Sequence, residues 1–411
     1  MGYCHGPVFK RKQQGGLKEY HQAKCTQHGS ARLKFSSRQN MKPLVPKVSP
    51  EHPTNTSPSV NLALQGGGSH GAFTWGVLDA LLDDGRISFE GISGTSAGAM
   101  NAVALASGFA NANGTAQADP REAAREALAS FWNGVVDMGA LSEAQRAPFD
   151  LLFGPHGVDD SPAAAWVNAM ASFWAGAVSP YQSNPFDINP LRDFLARQVD
   201  FERLQGLQTL KVFVVATRVS TGKAEVFTGR RLTADAVMAS ACLPTVFKAV
   251  EIEGDHFWDG GYSGNPAIHP LIYNCSARDI VLVQINPIKR DKLPTTSAEI
   301  MDRINEITFN AGLIAEMRAI DFVKRLLAEG KLDPSQYKDV LLHRIDGGEA
   351  LEALAASTKS SISRGLVHSL RDLGRAKARA WLARHYGALG VECTVDIRRD
   401  YLDDLRVPVA R

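Results

Sequence analysis

Two strand–glycine–helix units follow one another between residues 60 and 108, and they constrain the fold more than any other part of this 411-residue chain. In the first, the apolar run Val60-Asn61-Leu62-Ala63-Leu64 reads as a buried strand. Gly66-Gly67-Gly68-Ser69-His70-Gly71 follows as a turn. Phe73, Val77, Leu78, Leu81 and Leu82 then fall on one face of a helix that Gly85 stops. In the second, Phe89 to Ser93 reads as a short strand. It runs through Gly94-Thr95-Ser96-Ala97-Gly98 into a small-residue helix, Ala97 to Ala104, expected to end near Gly108. Further strands are expected at Leu210 to Val219, Ala224 to Thr228, a hairpin from Phe247 to Trp258, Asp279 to Asn286, and Val340 to Ile345. Strand–helix alternation followed by adjacent strands predicts an α/β fold, a three-layer α/β/α sandwich with a mixed, mainly parallel sheet.

The junctions carry chemistry. Gly94-x-Ser96-x-Gly98 is a nucleophile-elbow pattern, which exposes a serine hydroxyl on a sharp strand-to-helix turn. Its glycines remove Cβ atoms where strand and helix must nearly touch. The run Gly66 to Gly68, with Gly71, opens a helix with unobstructed backbone amides and suits an oxyanion or a phosphate. Trp258-Asp259-Gly260-Gly261 places a carboxylate at a strand end on a glycine-rich turn. Each pattern alone is common, and an Asp-Gly pair is ordinarily a turn.

Taken together and in this order, the three motifs resemble the patatin-like phospholipases. Asn189-Pro190-Leu191-Arg192-Asp193, Ala239-Ser240-Ala241-Cys242-Leu243-Pro244 with Phe247, and Asn265-Pro266 resemble the same family. The resemblance covers roughly residues 60 to 290 well and the helical remainder more loosely. It implies that Ser96 is the nucleophile, Asp259 its only partner, and the amides of Gly66, Gly67 and Gly68 an oxyanion hole. It also implies cleavage of phospholipid or related lipid esters through an acyl-enzyme, with no cofactor. One position departs from the family pattern. The glycine loop usually carries Arg or Lys where this chain has His70, which puts cationic help at that site in doubt.

The same residues admit other readings. Gly66-x-Gly68-x-x-Gly71 matches a dinucleotide fingerprint, with Glu90 as the ribose acid, but Glu90 sits at the start of its strand rather than its end. An ordinary α/β-hydrolase triad would draw its base from His269, His343, His368 or His385, all downstream of Asp259. There the glycine loop belongs farther upstream than it lies here. A catalytically silent lipid-binding or scaffold protein could keep the fold, although the intact motifs argue against it.

Composition bounds the rest. The five cysteines share no metal-like spacing, so neither a disulfide framework nor a zinc site is expected and a reducing, cytoplasmic setting fits. No run reaches the length of a membrane span, and no apolar signal segment opens the chain. Residues 1–50 hold ten Lys or Arg against the single acid Glu19. Residues 1–58 therefore read as a disordered basic tail, without the aromatic–basic module expected for nucleic acid.

The catalytic domain is expected over 59–346 and a helical C-terminal region, packing on it, over 347–411. Residues 109–188, rich in Phe and Trp, read as a helical insertion that could cover the serine. Ile300, Ile304, Ile307, Ala311, Ile314 and Met317 form a helical stripe read as core. Arg364, His368, Arg371, Arg375 and Arg379 share one face of a later helix, which suits peripheral contact with an anionic membrane.

Overall fold

The structure is a computed structural model that describes residues 57–113, 119–153, 179–183, 187, 189–354, 358–359 and 362–402, without the side chains of 140–153, 183 and 298. The tail expected over 1–58 and much of the insertion expected over 109–188 lie outside these residues. The predicted strands all form: β1 (Ser59–Leu64), β2 (Ser88–Thr95), β3 (Lys211–Arg218), β4 (Ala224–Phe227), β5 (Val250–Ile252), β6 (Asp255–Asp259), β7 (Asp279–Gln284) and β8 (Leu341–Asp346). They make one sheet ordered β5-β6-β3-β2-β1-β7-β8, with β4 also pairing β3. The pairs β3–β2, β2–β1, β1–β7 and β7–β8 are parallel, and those involving β4, β5 and β6 are antiparallel. The hairpin begins later than its sequence suggests. Leu243 to Phe247 close a turn by hydrogen bonds to the Leu243 carbonyl, so β5 starts only at Val250.

Central strands buried on both faces explain the near-continuous apolar runs. Leu62, Leu64, Val214 and Val283 point into the larger core, with α1 (Gly71–Asp84), α2 (Ala97–Ala112) and α3 (Pro120–Phe153). Ala63, Phe213, Ile280 and Leu282 point into the opposite core. Three layers result, as the strand–helix pattern predicts. On the larger core lie α4 (Pro190–Gln198), α5 (Ala234–Ser240) and α8 (Arg364–His385). On the opposite side lie α6 (His269–Asn274) and α7 (Ser297–Ala328).

Two expectations, the end of α2 and the buried stripe of α7, are corrected. Gly108 does not stop α2, which continues to Ala112. A Cβ at Gly108 would collide with the Ala124 backbone, so this glycine permits a close crossing of α2 and α3. In the expected insertion, Phe131 and Trp132 are buried core residues of α3, and the Trp132 indole donates to Asn101 Oδ1 on the elbow helix at 3.0 Å. On α7 the apolar stripe is offset from the buried one. Glu306, Asn310, Leu313, Met317 and Ile320 face inward, while Ile300, Ile304 and Ile307 are exposed. Glu306 and Asn310 take the inward positions because they answer polar partners, the part-buried Arg290 and the buried Gln65.

The basic face of α8 is turned to the protein's own acids. Arg375 pairs with Asp79 of α1 at 3.0 Å, Arg379 with Asp83 at 3.2 Å and Arg364 with Asp137 at 2.7 Å. The two helices touch backbone to backbone. A Cβ at Gly76 would strike the Arg371 carbonyl, and one at Gly374 the Phe73 carbonyl.

Candidate active site

Ser96 stands between β2 and α2 with φ 54° and ψ −123°, a backbone region that side-chain-bearing residues rarely occupy. Its neighbours over-determine that strain. The Ser96 amide donates to Ser240 Oγ at 2.9 Å, and Ser240 donates to the Val215 carbonyl at 2.5 Å. Gly94 and Gly98 pack against each other, and a Cβ on Gly98 would meet the carbonyl of Leu64 at the end of β1. Gly66 is equally confined, because its Cβ would lie 2.6 Å from Ser96 Cβ. The elbow therefore sits directly against the glycine loop, and only glycines fit between.

Asp259 ends β6, with 1% of its surface exposed. Its amide donates to the Cys242 carbonyl at 2.8 Å, and its carbonyl accepts the Thr217 hydroxyl at 2.8 Å. Its side chain accepts the Gly261 amide through Oδ1 at 2.7 Å. Oδ2 is buried without a well-formed hydrogen bond. Burial pushes the carboxyl up to about 7, against smaller downward pulls from the Gly261 amide and the Ser96 hydroxyl. The turn after it is fastened to β2, since Thr95 donates to the Gly264 carbonyl at 2.7 Å and Ser93 to the Ala267 carbonyl at 2.6 Å. Serine and aspartate are thus held by one bonded framework.

The three glycine amides are not equivalent. Gly66 N–H donates to Asn265 Oδ1 at 2.6 Å and is already engaged. The Gly67 and Gly68 amides have no acceptor among the described residues. Behind them lies a buried amide network. Gln65 Oε1 accepts the Ile285 and Asn286 amides at 2.8 Å each, its Nε2 donates to Asn310 Oδ1 at 3.2 Å, and Asn286 Nδ2 donates to the Gly66 carbonyl at 2.8 Å. Such a network fixes a loop whose free amides must not turn inward.

His70 does not supply a charge. It is buried, its Nε2 meets Thr358 Oγ1 at 2.8 Å, and burial, helped by Lys359 and Arg290, lowers its pKa to about 4. The nearby cation is Lys359. Its ammonium donates to Asn286 Oδ1 at 2.6 Å, and its backbone carbonyl occupies the space a Gly68 Cβ would need. Burial lowers the Lys359 pKa.

The histidines of a conventional triad are engaged elsewhere. His269 meets Glu316 at 2.9 Å, His343 meets Asp279 at 2.9 Å, His368 meets Asn133 at 3.3 Å, and His385 lies beside Trp381. Glu90 accepts the Ser276 and Ala277 amides at the end of the sheet opposite the glycine loop, too far away to serve a ribose there.

Ser240 and Asn265 lie in stretches whose family likeness was legible, but their bonds to Ser96 and Gly66 were not. Asn286 and Lys359 left no sequence signal. Each reaches the loop only through the fold.

The sequence profile of the patatin-like phospholipases matches residues 62–272. Among solved structures, VipD from Legionella pneumophila aligns over 79% of this chain and 67% of that one, at 16% identity and a TM-score of 0.38. No curated protein matches the chain. With the matched segment spanning half its length and holding Gly66 to Gly68, Ser96 and Asp259, the chain belongs to the patatin-like phospholipase family, which implies lipid acyl hydrolase activity.

Proposed function

We propose that this protein hydrolyses ester bonds of phospholipids or related lipid esters through a Ser96–Asp259 dyad. The observation that carries the reading is the buried Asp259 carboxyl, on a turn fastened to the elbow strand through Thr95 and Ser93, with burial raising its pKa to about 7. A serine hydroxyl needs a positioned base, and a carboxylate becomes a competent one when desolvation raises its basicity. In the first half-reaction, Ser96 Oγ attacks the ester carbonyl and its proton passes to Asp259. The oxyanion is received by the Gly67 and Gly68 amides, with the α2 N-terminus beside it. Collapse expels the alcohol, which takes the proton from Asp259. In the second half-reaction, water gives a proton to Asp259 and attacks the acyl-enzyme. Fatty acid leaves and Ser96 recovers its proton.

In this reading residues 59–346 form the catalytic body, and the described residues of 347–402 complete it, with α8 on α1 and Lys359 on the glycine loop. The test is fatty-acid release from mixed phospholipid vesicles, followed in parallel with fluorophosphonate labelling. Both should vanish in Ser96→Ala. Release that survives this substitution would rule the reading out.

A further inference from the structure

The outward side of α7 is apolar where a solvated helix face is normally charged. Ile300, Met301, Ile304 and Ile307 are 43%, 58%, 51% and 55% exposed, and Phe322 is 52% exposed farther along. The acids of this helix are turned away or occupied. Glu306 is buried between Arg290 and Arg303, Glu316 accepts the His269 amide, and Asp321 serves Arg398 and Arg325. Of the charged residues between Ile300 and Arg325, Arg318 and Arg325 are the exposed ones, both cationic, and Arg325 is paired with Asp321. Leaving four large apolar side chains in water on successive turns has a free-energy cost, and contiguous patches of this kind mark contact surfaces.

The position of the helix indicates what it contacts. Phe309 packs edge-on against Tyr262 with centroids 5.3 Å apart, and its ring lies 2.9 Å from where a Gly261 Cβ would be. The exposed face therefore belongs to the same helix that backs the Asp259 turn. We propose that this face of α7 is the surface by which the protein docks on an anionic lipid bilayer, its isoleucines entering the interface and Arg318 meeting the head groups. The choice of a bilayer as partner rests on the lipid-hydrolase reading above. The arginines of α8, by contrast, are ion-paired with Asp79, Asp83 and Asp137 of α1 and α3.

The test uses the full chain carrying Ser96→Ala, so that vesicles stay intact, in sedimentation with phosphatidylcholine alone and with phosphatidylcholine containing phosphatidylglycerol. The protein should bind the mixed vesicles. Ile304→Ser with Ile307→Ser should weaken that binding about tenfold or more. Arg318→Glu should weaken binding to the anionic vesicles roughly fivefold and leave the neutral ones unaffected. With Ser96 restored, the isoleucine variant should hydrolyse a soluble short-chain ester at the wild-type rate, which also reports that it folds.

Vesicle binding that is absent, or equal in the isoleucine variant and its parent, overturns the proposal. So does a dimer that becomes a monomer in that variant, which would assign the face to a second copy of the chain. Isoleucine-dependent binding by a protein that cleaves no ester would keep the docking surface and discard the hydrolase.

Discussion

The Lys359 ammonium donates to Asn286 Oδ1 at 2.6 Å, and the Asn286 amide donates in turn to the Gly66 carbonyl at 2.8 Å. A cation from the C-terminal region is thereby coupled to the glycine loop, outside the segment that matches the family profile. Its positive charge stands where the neutral His70 provides none.

Replacing Lys359 with Met should therefore weaken the hole rather than substrate binding. We expect kcat on a neutral ester to fall about tenfold, with KM little changed, as for partial loss of an electrostatic stabiliser. The same substitution should raise the His70 pKa from about 4, because Lys359 is one of the groups that depress it. An NMR titration of His70 checks this independently of activity. An unmoved titration would place the charge elsewhere.

The pH dependence of kcat/KM should report Asp259. In the proposed dyad its carboxylate acts as the base, so activity should fall as pH drops through about 7 and level off above it. A profile still flat at pH 5 would mean that a group of ordinary carboxylate pKa, or none, accepts the proton.

Stability should move the opposite way. The folded Asp259 pKa of about 7 lies above its reference value of 3.8, so the folded state holds an extra proton between the two. Stability is then full below the lower value and declines as pH rises toward 7, by on the order of 4 kcal/mol once Asp259 is ionised. Asp259→Asn keeps an acceptor for Gly261 and removes the charge. It should raise the melting temperature by several degrees at pH 8 and hardly at all at pH 4 while abolishing hydrolysis. Equal melting shifts at both pH values would contradict the buried-charge account.

The α1–α8 contact should be intolerant of a side chain at Gly374, where a Cβ would meet the Phe73 carbonyl. Gly374→Val should destabilise the fold by about 1–3 kcal/mol, as overpacking does. Gly387→Val, where a Cβ meets nothing within 4 Å, is the control in a denaturant titration.

What could be read from the sequence was what local backbone chemistry dictates. Ser96 and Gly66 to Gly68 stood out because strand-to-helix turns without room for Cβ atoms demand glycine at fixed offsets. The strands announced themselves through apolar runs, since a parallel sheet buries both faces. Asp259 needed the family resemblance, because an Asp-Gly pair at a strand end is otherwise a turn. The errors share a cause. Gly108 was read as a helix stop and the isoleucines of α7 from periodicity, whereas a helix crossing and a buried polar pair decided the outcome. The engagement of Gly66 with Asn265, and Lys359 with Asn286, joins segments far apart in the chain, so no local pattern encodes it.

The most direct test of the dyad compares fluorophosphonate labelling and fatty-acid release in the wild type and Asp259→Asn, with melting curves for both. The account predicts that the variant is folded and at least as stable at neutral pH, yet loses both signals by several orders of magnitude. A folded Asp259→Asn protein that labels and hydrolyses like wild type would show that Ser96 is activated by another group.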